Sequence, residues 1–181
     1  MLEYASKHRE ELYKLFMDAW RKEKYKYLLC NPYSFSSFLT NDKGLDNTWN
    51  QHHFVSVHDG EVVGYITYNI HRADNRVHGL EIINFTDNAI SFGIDLRRML
   101  MHMFELYKFR KINFLVVIGN PIEKMYDRIV EKYNGRVVGV RKSHTKLIDN
   151  KYYDVKEYEV FRDDYLRVKE QLDEEKFNSK N

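Results

Sequence analysis

The stretch NAISFGIDL, residues 88–96, marks the point where the sequence pattern changes from strand to helix. The run before it, Val77 to Thr86, is apolar and β-branched, which is typical of a strand. After it, apolar residues recur at intervals of three and four. This spacing predicts a long helix whose buried face contains Leu96, Met99, Leu100, Met103, Phe104 and Tyr107.

Two further strands precede this junction. The runs His53 to Val57 and Glu61 to Tyr68 flank Asp59-Gly60, a pair that favours the positive backbone angles of a tight hairpin turn. Asp74-Asn75 forms a second turn before Val77. The sequence therefore predicts three consecutive strands.

Another strand and helix follow. The run Ile112 to Ile118 is almost entirely apolar, as expected for a central strand covered on both faces. Pro121 suits the first turn of the next helix, and Gly135 suits its end.

A final hairpin is predicted from Val137 to Ile148 and Tyr152 to Phe161, around Asp149-Asn150. The side-chain parity of the second strand changes near Lys156-Glu157, which indicates a β-bulge there.

The two ends complete an α+β domain with the element order α(α)βββαβαββ(α). An apolar stripe predicts a first helix from about Lys7 to Tyr27, and a short second helix would hold Phe35, Phe38 and Leu39. Residues 1–165 are expected to form one domain. Residues 166–181 are expected to form a charged tail that is helical and then frays.

Composition excludes several classes of protein. The 29 basic and 27 acidic residues give a net charge of +2, too small and too mixed to indicate a nucleic-acid or membrane-surface partner. Cys30 is the only cysteine, so an intramolecular disulfide is impossible, and Met1 to Glu10 carries charge where a signal peptide needs an apolar run. A soluble, cytoplasmic protein is expected.

The histidines do not indicate a metal site. His52 and His53 are adjacent and should point to opposite faces of a strand, while His71 and His78 have no carboxylate at ligand spacing. We expect no bound metal.

The junction at residues 88–96 also carries a chemical signal. Small residues at Ser91 and Gly93 allow close approach to the backbone, and free amides at a helix start attract a diphosphate. The stretch resembles the pyrophosphate loop of the GNAT (Gcn5-related N-acetyltransferase) family, Gln/Arg-x-x-Gly-x-Gly/Ala with Leu three residues on. Asn88, Ser91 and Gly93 occupy those positions, and Leu96 matches. An ordinary strand-to-helix turn is the alternative.

Two other segments resemble the same family. Asn120 and Met125-Tyr126 are similar to its Asn-x-x-Ala-x-x-Leu-Tyr segment, with Asn120 one residue closer to the tyrosine. The closing hairpin, residues 135–155, is similar to that of GNAT enzymes acting on ribosomal-protein termini. The resemblance covers about Phe54 to Tyr165.

The resemblance implies that acetyl-CoA binds between two parallel strands that part, here Val77 to Thr86 and Ile112 to Ile118. The residues it implies for cofactor binding are Phe85, Thr86, Asn88, Ile90, Ser91, Phe92, Gly93, Ile94 and Asn120.

The resemblance also implies two catalytic roles. Glu81 would take a proton from the amine through water, and Tyr126 would donate one to the departing thiolate. The alternatives are a solvated acid at a strand end and a core tyrosine. The rings of Tyr25, Tyr27, Tyr33, Phe35, Phe38 and Trp49 would either line an acceptor groove or pack on the sheet.

The expected function is therefore transfer of an acetyl group to a primary amine on a small molecule or a protein, by a monomer or homodimer. A noncatalytic module that binds CoA or a protein partner is the second hypothesis, and an unrelated α+β interaction protein is the third.

Overall fold

The computed structural model describes residues 1–29, 44–87 and 90–178, which form a seven-stranded sheet flanked by helices. The elements in chain order are β1 (Leu2–Tyr4), a 3-10 turn (Ala5–His8), α1 (Arg9–Ala19), a 3-10 turn (Glu23–Tyr25), β2 (Gln51–His58), β3 (Glu61–His71), β4 (Arg76–Asn84), α2 (Ile90–Met101), a π-helical segment (His102–Leu106), β5 (Lys111–Val117), α3 (Glu123–Lys132), β6 (Arg136–Lys146), β7 (Tyr152–Phe161) and α4 (Arg162–Asn178).

The sheet is mixed but mostly antiparallel, with the strand order β1-β2-β3-β4-β5-β7-β6. Among these described strands, only the β4–β5 pair is parallel. This is the α+β architecture that the sequence predicts.

The sheet separates two layers. On one side, called the α2 face, residues such as Ile66, Leu80 and Phe114 pack in one core with α2, α3 and α4. On the other, the α1 face, Val55 and Tyr65 join the cluster that includes α1. Each strand alternates between these layers because successive side chains point in opposite directions.

The predicted hairpin turns are confirmed. Asp59 and Gly60 have φ angles of 53° and 83°, and Asn150 has a φ of 63°. These left-handed values are the ones that Asn, Asp and Gly tolerate best.

The first helix is shorter than predicted, because it ends at Ala19 instead of continuing to Tyr27. Beyond it, Tyr25 donates its hydroxyl to the carbonyl of Asn84 at 2.9 Å, and Lys24 pairs with Asp87 at 2.8 Å. These contacts hold the segment against the end of β4.

Two strand boundaries also differ from the prediction. The sequence pattern does not indicate β1, which has only three residues and is fixed by pairing with β2. The predicted strand to Thr86 ends at Asn84, whose side chain accepts hydrogen bonds from the backbone N–H and hydroxyl of Thr86. This local turn ends the strand.

The long helix departs from its predicted face at its end. The π-helical segment places the N–H of Tyr107 on the carbonyl of His102, five residues back. The wider turn changes the helical phase. Tyr107, predicted on the buried face, is therefore 53% exposed.

The end of α3 and the predicted bulge need correction as well. Asn134, not Gly135, takes the left-handed conformation, with a φ of 50°. The register shifts of the final hairpin lie in β6, at Val137/Gly139 and Arg141/Thr145, whereas β7 pairs regularly with β5. The apolar residues of β7 change parity because the strand is covered on both faces and not because of an extra residue: Val155 packs with Val117 and Leu147, whereas Tyr158 and Val160 pack in the α2 core.

The second helix predicted with Phe35, Phe38 and Leu39 lies outside the described residues, as does Cys30. Among the described helices, none has the length and apolar character needed to cross a bilayer.

Gly135 is required for a different reason than the one expected from sequence. A Cβ there would lie 2.6 Å from the carbonyl oxygen of Glu159, whereas a Cβ at Gly139 would have no neighbour within 4 Å. We expect Gly135→Ala to lower the free energy of unfolding by about 1–3 kcal/mol. Gly139→Ala should change it by less than about 0.5 kcal/mol. Urea unfolding of both variants would check this, and equal losses would contradict it.

Candidate active site

The centre of the site is a separation between the parallel strands β4 and β5. The two strands pair at Arg76↔Lys111, Val77↔Ile112 and Leu80↔Phe114. Beyond Leu80 and Phe114 they continue to Asn84 and Val117 without pairing with each other. Main-chain groups on the facing edges are therefore not used within the sheet there.

A bulge at Gly79 sets the side-chain directions in this part of β4. From Val77 to Leu80, β4 advances three positions while β5 advances two, from Ile112 to Phe114, and the same mismatch occurs against β3. Gly79 has a φ of 59°. Because the extra residue reverses the alternation, both Val77 and Leu80 face the α2 core, and Glu81 faces the α1 side.

A cavity of roughly 320 Å³ occupies the separation. It is lined by the parted strands, the segment after α1, the start of α2 and the region around α3. Its wall includes Tyr25, Tyr27, Glu81, Phe92, Gly93, Leu96, Leu115, Asn120 and Tyr126. Both residues predicted to be catalytic thus border the same cavity.

Glu81 is half-buried in the wall of this cavity. Burial raises the pKa of its carboxyl group, because the charged form loses solvation. No described residue donates a hydrogen bond to it. A carboxylate with a raised pKa and free lone pairs is suited to accept a proton near neutral pH.

Tyr126 borders the cavity from the α3 side, within an aromatic cluster. Its ring makes edge contacts with Phe114 and Tyr158, with centroid distances of 5.1 and 6.2 Å. Burial raises the pKa of its phenol to about 12. The hydroxyl is therefore protonated at neutral pH and able to donate a hydrogen bond.

Tyr158, whose ring contacts Tyr126, is held in place by its own contacts. Tyr158 donates its hydroxyl to Asp127 at 2.7 Å, and Lys156 pairs with the same carboxylate at 2.8 Å. Tyr158 is fully buried and stacks on Phe114. This arrangement holds the Tyr126 ring between packed neighbours.

The start of α2 presents an open backbone at the mouth of the cavity. A Cβ at Gly93 would have no neighbour within 4 Å. Ile90 and Ile94 are 73% and 56% exposed, and Ser91 is half-buried. Phe92 instead turns inward and is buried. Asn88, also predicted to bind the cofactor, lies outside the described residues.

The remaining predicted cofactor residues have structural roles. The ring of Phe85 packs edge-on against Phe16 with a centroid distance of 5.4 Å. Thr86 bonds to the side chain of Asn84. Asn120 borders the cavity, but its side-chain oxygen accepts a hydrogen bond from the N–H of Ile122 at 3.2 Å, near the start of α3.

The sequence pattern gives no role to Gly79, Thr67 or Asn113, of which Thr67 and Asn113 do not line the cavity. Gly79 forms the bulge described above, and a lone glycine inside a strand was the available signal. Thr67 and Asn113 each bear a buried oxygen with no hydrogen-bond partner among the described residues. Such an atom costs about 1–3 kcal/mol. Nothing in their sequence pattern shows this, because it depends on which strands pair.

Comparison with known proteins identifies the fold. A GCN5-related N-acetyltransferase from Brucella melitensis matches with a TM-score of 0.65 and 18% identity, over 93% of this chain and 78% of that chain. A spermidine N-acetyltransferase SpeG chimera from Vibrio cholerae and hSSAT matches with a TM-score of 0.70 and 18% identity, over 92% of this chain and 97% of that chain. An acetyltransferase from T. thermophilus matches with a TM-score of 0.66 and 18% identity, over 96% of this chain and 92% of that chain.

No family model matches the sequence, and no curated protein sequence matches it either. The structural matches show that this chain has the fold of the GCN5-related N-acetyltransferases, as its sequence resemblance predicts.

The half-buried carboxyl group of Glu81 should reduce the stability of the fold at high pH. The native pKa of Glu81 is raised above its unfolded value of about 4.3, so the native state binds the proton more tightly. This tighter proton binding stabilises the native state at low pH, and the stabilisation is lost as pH rises through the native pKa of Glu81. Glu81→Gln should therefore raise the melting temperature at pH 8, and the gain should shrink towards zero near pH 4.

The matched control is Glu61→Gln, which changes an exposed carboxylate at the start of β3. Its melting temperature should follow the parent protein at both pH values. A Glu81→Gln variant that is less stable than the parent at pH 8 would show that the charge has a stabilising partner.

Proposed function

We propose that this protein is an N-acetyltransferase that transfers an acetyl group from acetyl-CoA to a primary amine. The main support is the cavity between β4 and β5, which has Glu81 and Tyr126 in its wall. The shared fold with N-acetyltransferases is consistent with this function.

The separated strands fit the elongated arm of acetyl-CoA. Main-chain groups of β4 beyond Leu80 and of β5 beyond Phe114 can pair with the arm's amides, in the manner of an added strand. The open backbone at Gly93 and the amides at the start of α2 suit the diphosphate. When bound, acetyl-CoA supplies a thioester carbonyl to the cavity.

In the proposed reaction, a carbon–nitrogen bond forms as the carbon–sulfur bond breaks. Glu81 accepts the proton that the attacking amine loses, directly or through water. The sulfur leaves with the bonding electron pair, and Tyr126 donates its hydroxyl proton or a strong hydrogen bond to it. The N-acetylated amine and CoA are the products.

The raised pKa of Tyr126 limits how it acts. A phenol with a pKa of about 12 is a weaker acid than a thiol, whose reference pKa is about 8.5. The thiolate enters the same apolar surroundings, however, and burial raises its pKa too. Tyr126 therefore acts mainly by position, through a hydrogen bond that strengthens as charge develops on sulfur.

The proposed acceptor is an amine, on a small molecule or on a protein. The Vibrio cholerae neighbours are named as spermidine N-acetyltransferases, which supports an amine as the acceptor. Tyr25 and Tyr27 line the cavity as a groove would require, while Trp49 is exposed and does not line it. The closing hairpin is similar to that of GNAT enzymes acting on ribosomal-protein termini, so a protein terminus is a second candidate acceptor. The proposed location is the cytoplasm, and the proposed oligomeric state is a monomer or a homodimer.

A noncatalytic CoA-binding module is the second candidate. Ser91 stands where the family loop has glycine, which is the observation that favours it. Such a module would bind acetyl-CoA without releasing thiol in the presence of amines.

Acetyl-CoA should stabilise the protein. A ligand at one hundred times its dissociation constant adds about 2.7 kcal/mol, which a thermal-shift measurement detects. Gly93→Leu should abolish this shift without loss of stability, because its side chain extends into open space at the cavity. Gly139→Leu, at an equally open glycine in β6, should keep the shift. No shift in the parent protein would rule out the proposed function.

Tyr126→Phe should lower kcat by about 10²-fold, since it removes the only group proposed to assist the leaving thiolate. The KM for acetyl-CoA should change by less than about threefold. Tyr133→Phe, at the C-terminal end of the same helix, is the control and should leave kcat unchanged. Thiol release with a panel of amines measures both. Equal turnover by Tyr126→Phe and the parent would refute the acid role.

A further inference from the structure

A network of ionic contacts joins α3 to β7 beside Tyr126. Lys156, in β7, donates to Asp127 at 2.8 Å and to Glu123 at 3.1 Å. Glu123 and Asp127 are one helical turn apart in α3, and Tyr126 lies between them in sequence. One ammonium group therefore holds the start of α3 against the strand.

The same carboxylate holds the aromatic ring next to Tyr126. Tyr158 donates its hydroxyl to Oδ1 of Asp127 at 2.7 Å, the oxygen that also accepts from Lys156. Tyr158 is fully buried, its ring stacks on Phe114 with a centroid distance of 5.2 Å, and it meets the Tyr126 ring edge-on. The bond to Asp127 therefore fixes a ring against which Tyr126 packs.

The network also reaches the end of β5. The backbone N–H of Gly119, which lies shortly after the last residue of β5, Val117, donates to Glu123 at 3.1 Å. Because β5 is one of the two strands that separate at the cavity, this bond ties the start of α3 to one side of the gap. Tyr126 is thereby held in place relative to the space that it borders.

The two neighbouring tyrosines differ in what their hydroxyls do. The hydroxyl of Tyr158 is bound to Asp127, whereas that of Tyr126 makes no hydrogen bond within the described part of the chain. Tyr126 also borders the cavity, and Tyr158 does not. Tyr126 is therefore the phenol available to a bound thioester, and Tyr158 supports it.

The carboxylate of Asp127 is charged at neutral pH. The hydrogen bonds from Lys156 and Tyr158 lower its pKa, because they stabilise the charged form. The Asp127 side chain is 45% exposed, and an ion pair at such a position adds little to stability. Its main effect is therefore on the orientation of Tyr158.

We propose that Asp127 and Tyr158 are positioning residues for Tyr126, and that they hold its ring so that the hydroxyl reaches the sulfur of bound acetyl-CoA. This role rests on the proposed acetyltransferase function. Asp127 acts through Tyr158, and Tyr158 acts through the ring of Tyr126. Positioning matters to the rate, because a displacement of about 1 Å can cost roughly 10²-fold.

Tyr158→Phe removes the hydroxyl and keeps the ring, so it tests the positioning directly. We expect kcat to fall about tenfold, with the KM for acetyl-CoA changed by less than about threefold. In the Tyr126→Phe background the same substitution should have no further effect on kcat, because the group that it positions is gone. A further loss of about tenfold in that background would overturn the proposal, since a purely structural role predicts it.

Tyr165→Phe is the matched control. Tyr165 is buried in the same α2-face core and donates its hydroxyl to a carboxylate, that of Glu105, at 2.6 Å. Its ring packs against other aromatic residues than Tyr126. This variant should lower the melting temperature, as Tyr158→Phe does, and leave kcat unchanged. A loss of kcat equal to that of Tyr158→Phe would overturn the proposal.

Two substitutions of Asp127 test its part in the network. Asparagine keeps an oxygen that accepts from Tyr158, so Asp127→Asn should retain at least about half of the parent kcat. Asp127→Ala removes that acceptor and should lower kcat about tenfold, as Tyr158→Phe does. Parent-like turnover by the alanine variant would rule out a positioning role for Asp127.

The ring-flip rate of Tyr126, measured by NMR of the ligand-free protein with labelled tyrosines, separates this inference from the proposed function. It should be higher in Tyr158→Phe and Asp127→Ala than in the parent, and parent-like in Tyr165→Phe. If no amine is acetylated, the proposed function fails and this rate decides: faster flipping in those two variants alone would retain the positioning, and equal rates would overturn it. If amines are acetylated and Tyr158→Phe keeps kcat, the positioning fails and the proposed function stands.

Discussion

The separation of β4 from β5 beyond Leu80 and Phe114 is the constraint on which the rest of the site depends. A parallel pair that stayed bonded along its length would leave no cavity at the centre of the sheet. The separation opens one that reaches both layers, so that Glu81 from the α1 face and Tyr126 from the α2 side border a single space. The two candidate catalytic groups meet through a gap in the sheet and not at its edge.

The bulge at Gly79 also determines the site, because it sets the side-chain directions of β4 beside the separation. It reverses the alternation of β4 once, which keeps Leu80 in the α2 core and directs Glu81 to the side that carries Thr67 and Asn113. A lone glycine inside a strand suggests a bulge, but the sequence does not show its effect on the direction of Glu81. The run from Val77 reads as one continuous strand, and the extra residue is evident only when the register with β3 and β5 is known.

Local chemistry was predictable where it decides local structure. Asp59-Gly60 and Asn150 specify their turns whatever surrounds them, and the apolar run of β5 specifies a strand covered on both faces. Prediction failed where distant contacts decide. The segment after α1 is held by the bond of Tyr25 to Asn84, and the phase of the long helix depends on the π-helical segment. The open oxygens of Thr67 and Asn113 likewise follow from the packing of separate strands.

The contact between Phe92 and Gly64 has a mechanical consequence. A Cβ on Gly64 would lie 2.4 Å from the ring of Phe92, so the ring occupies the space that a side chain on β3 would fill. This contact anchors the first turn of α2 to β3. A side chain added at Gly64 would therefore displace the Phe92 ring and, with it, the turn of α2 that carries Gly93.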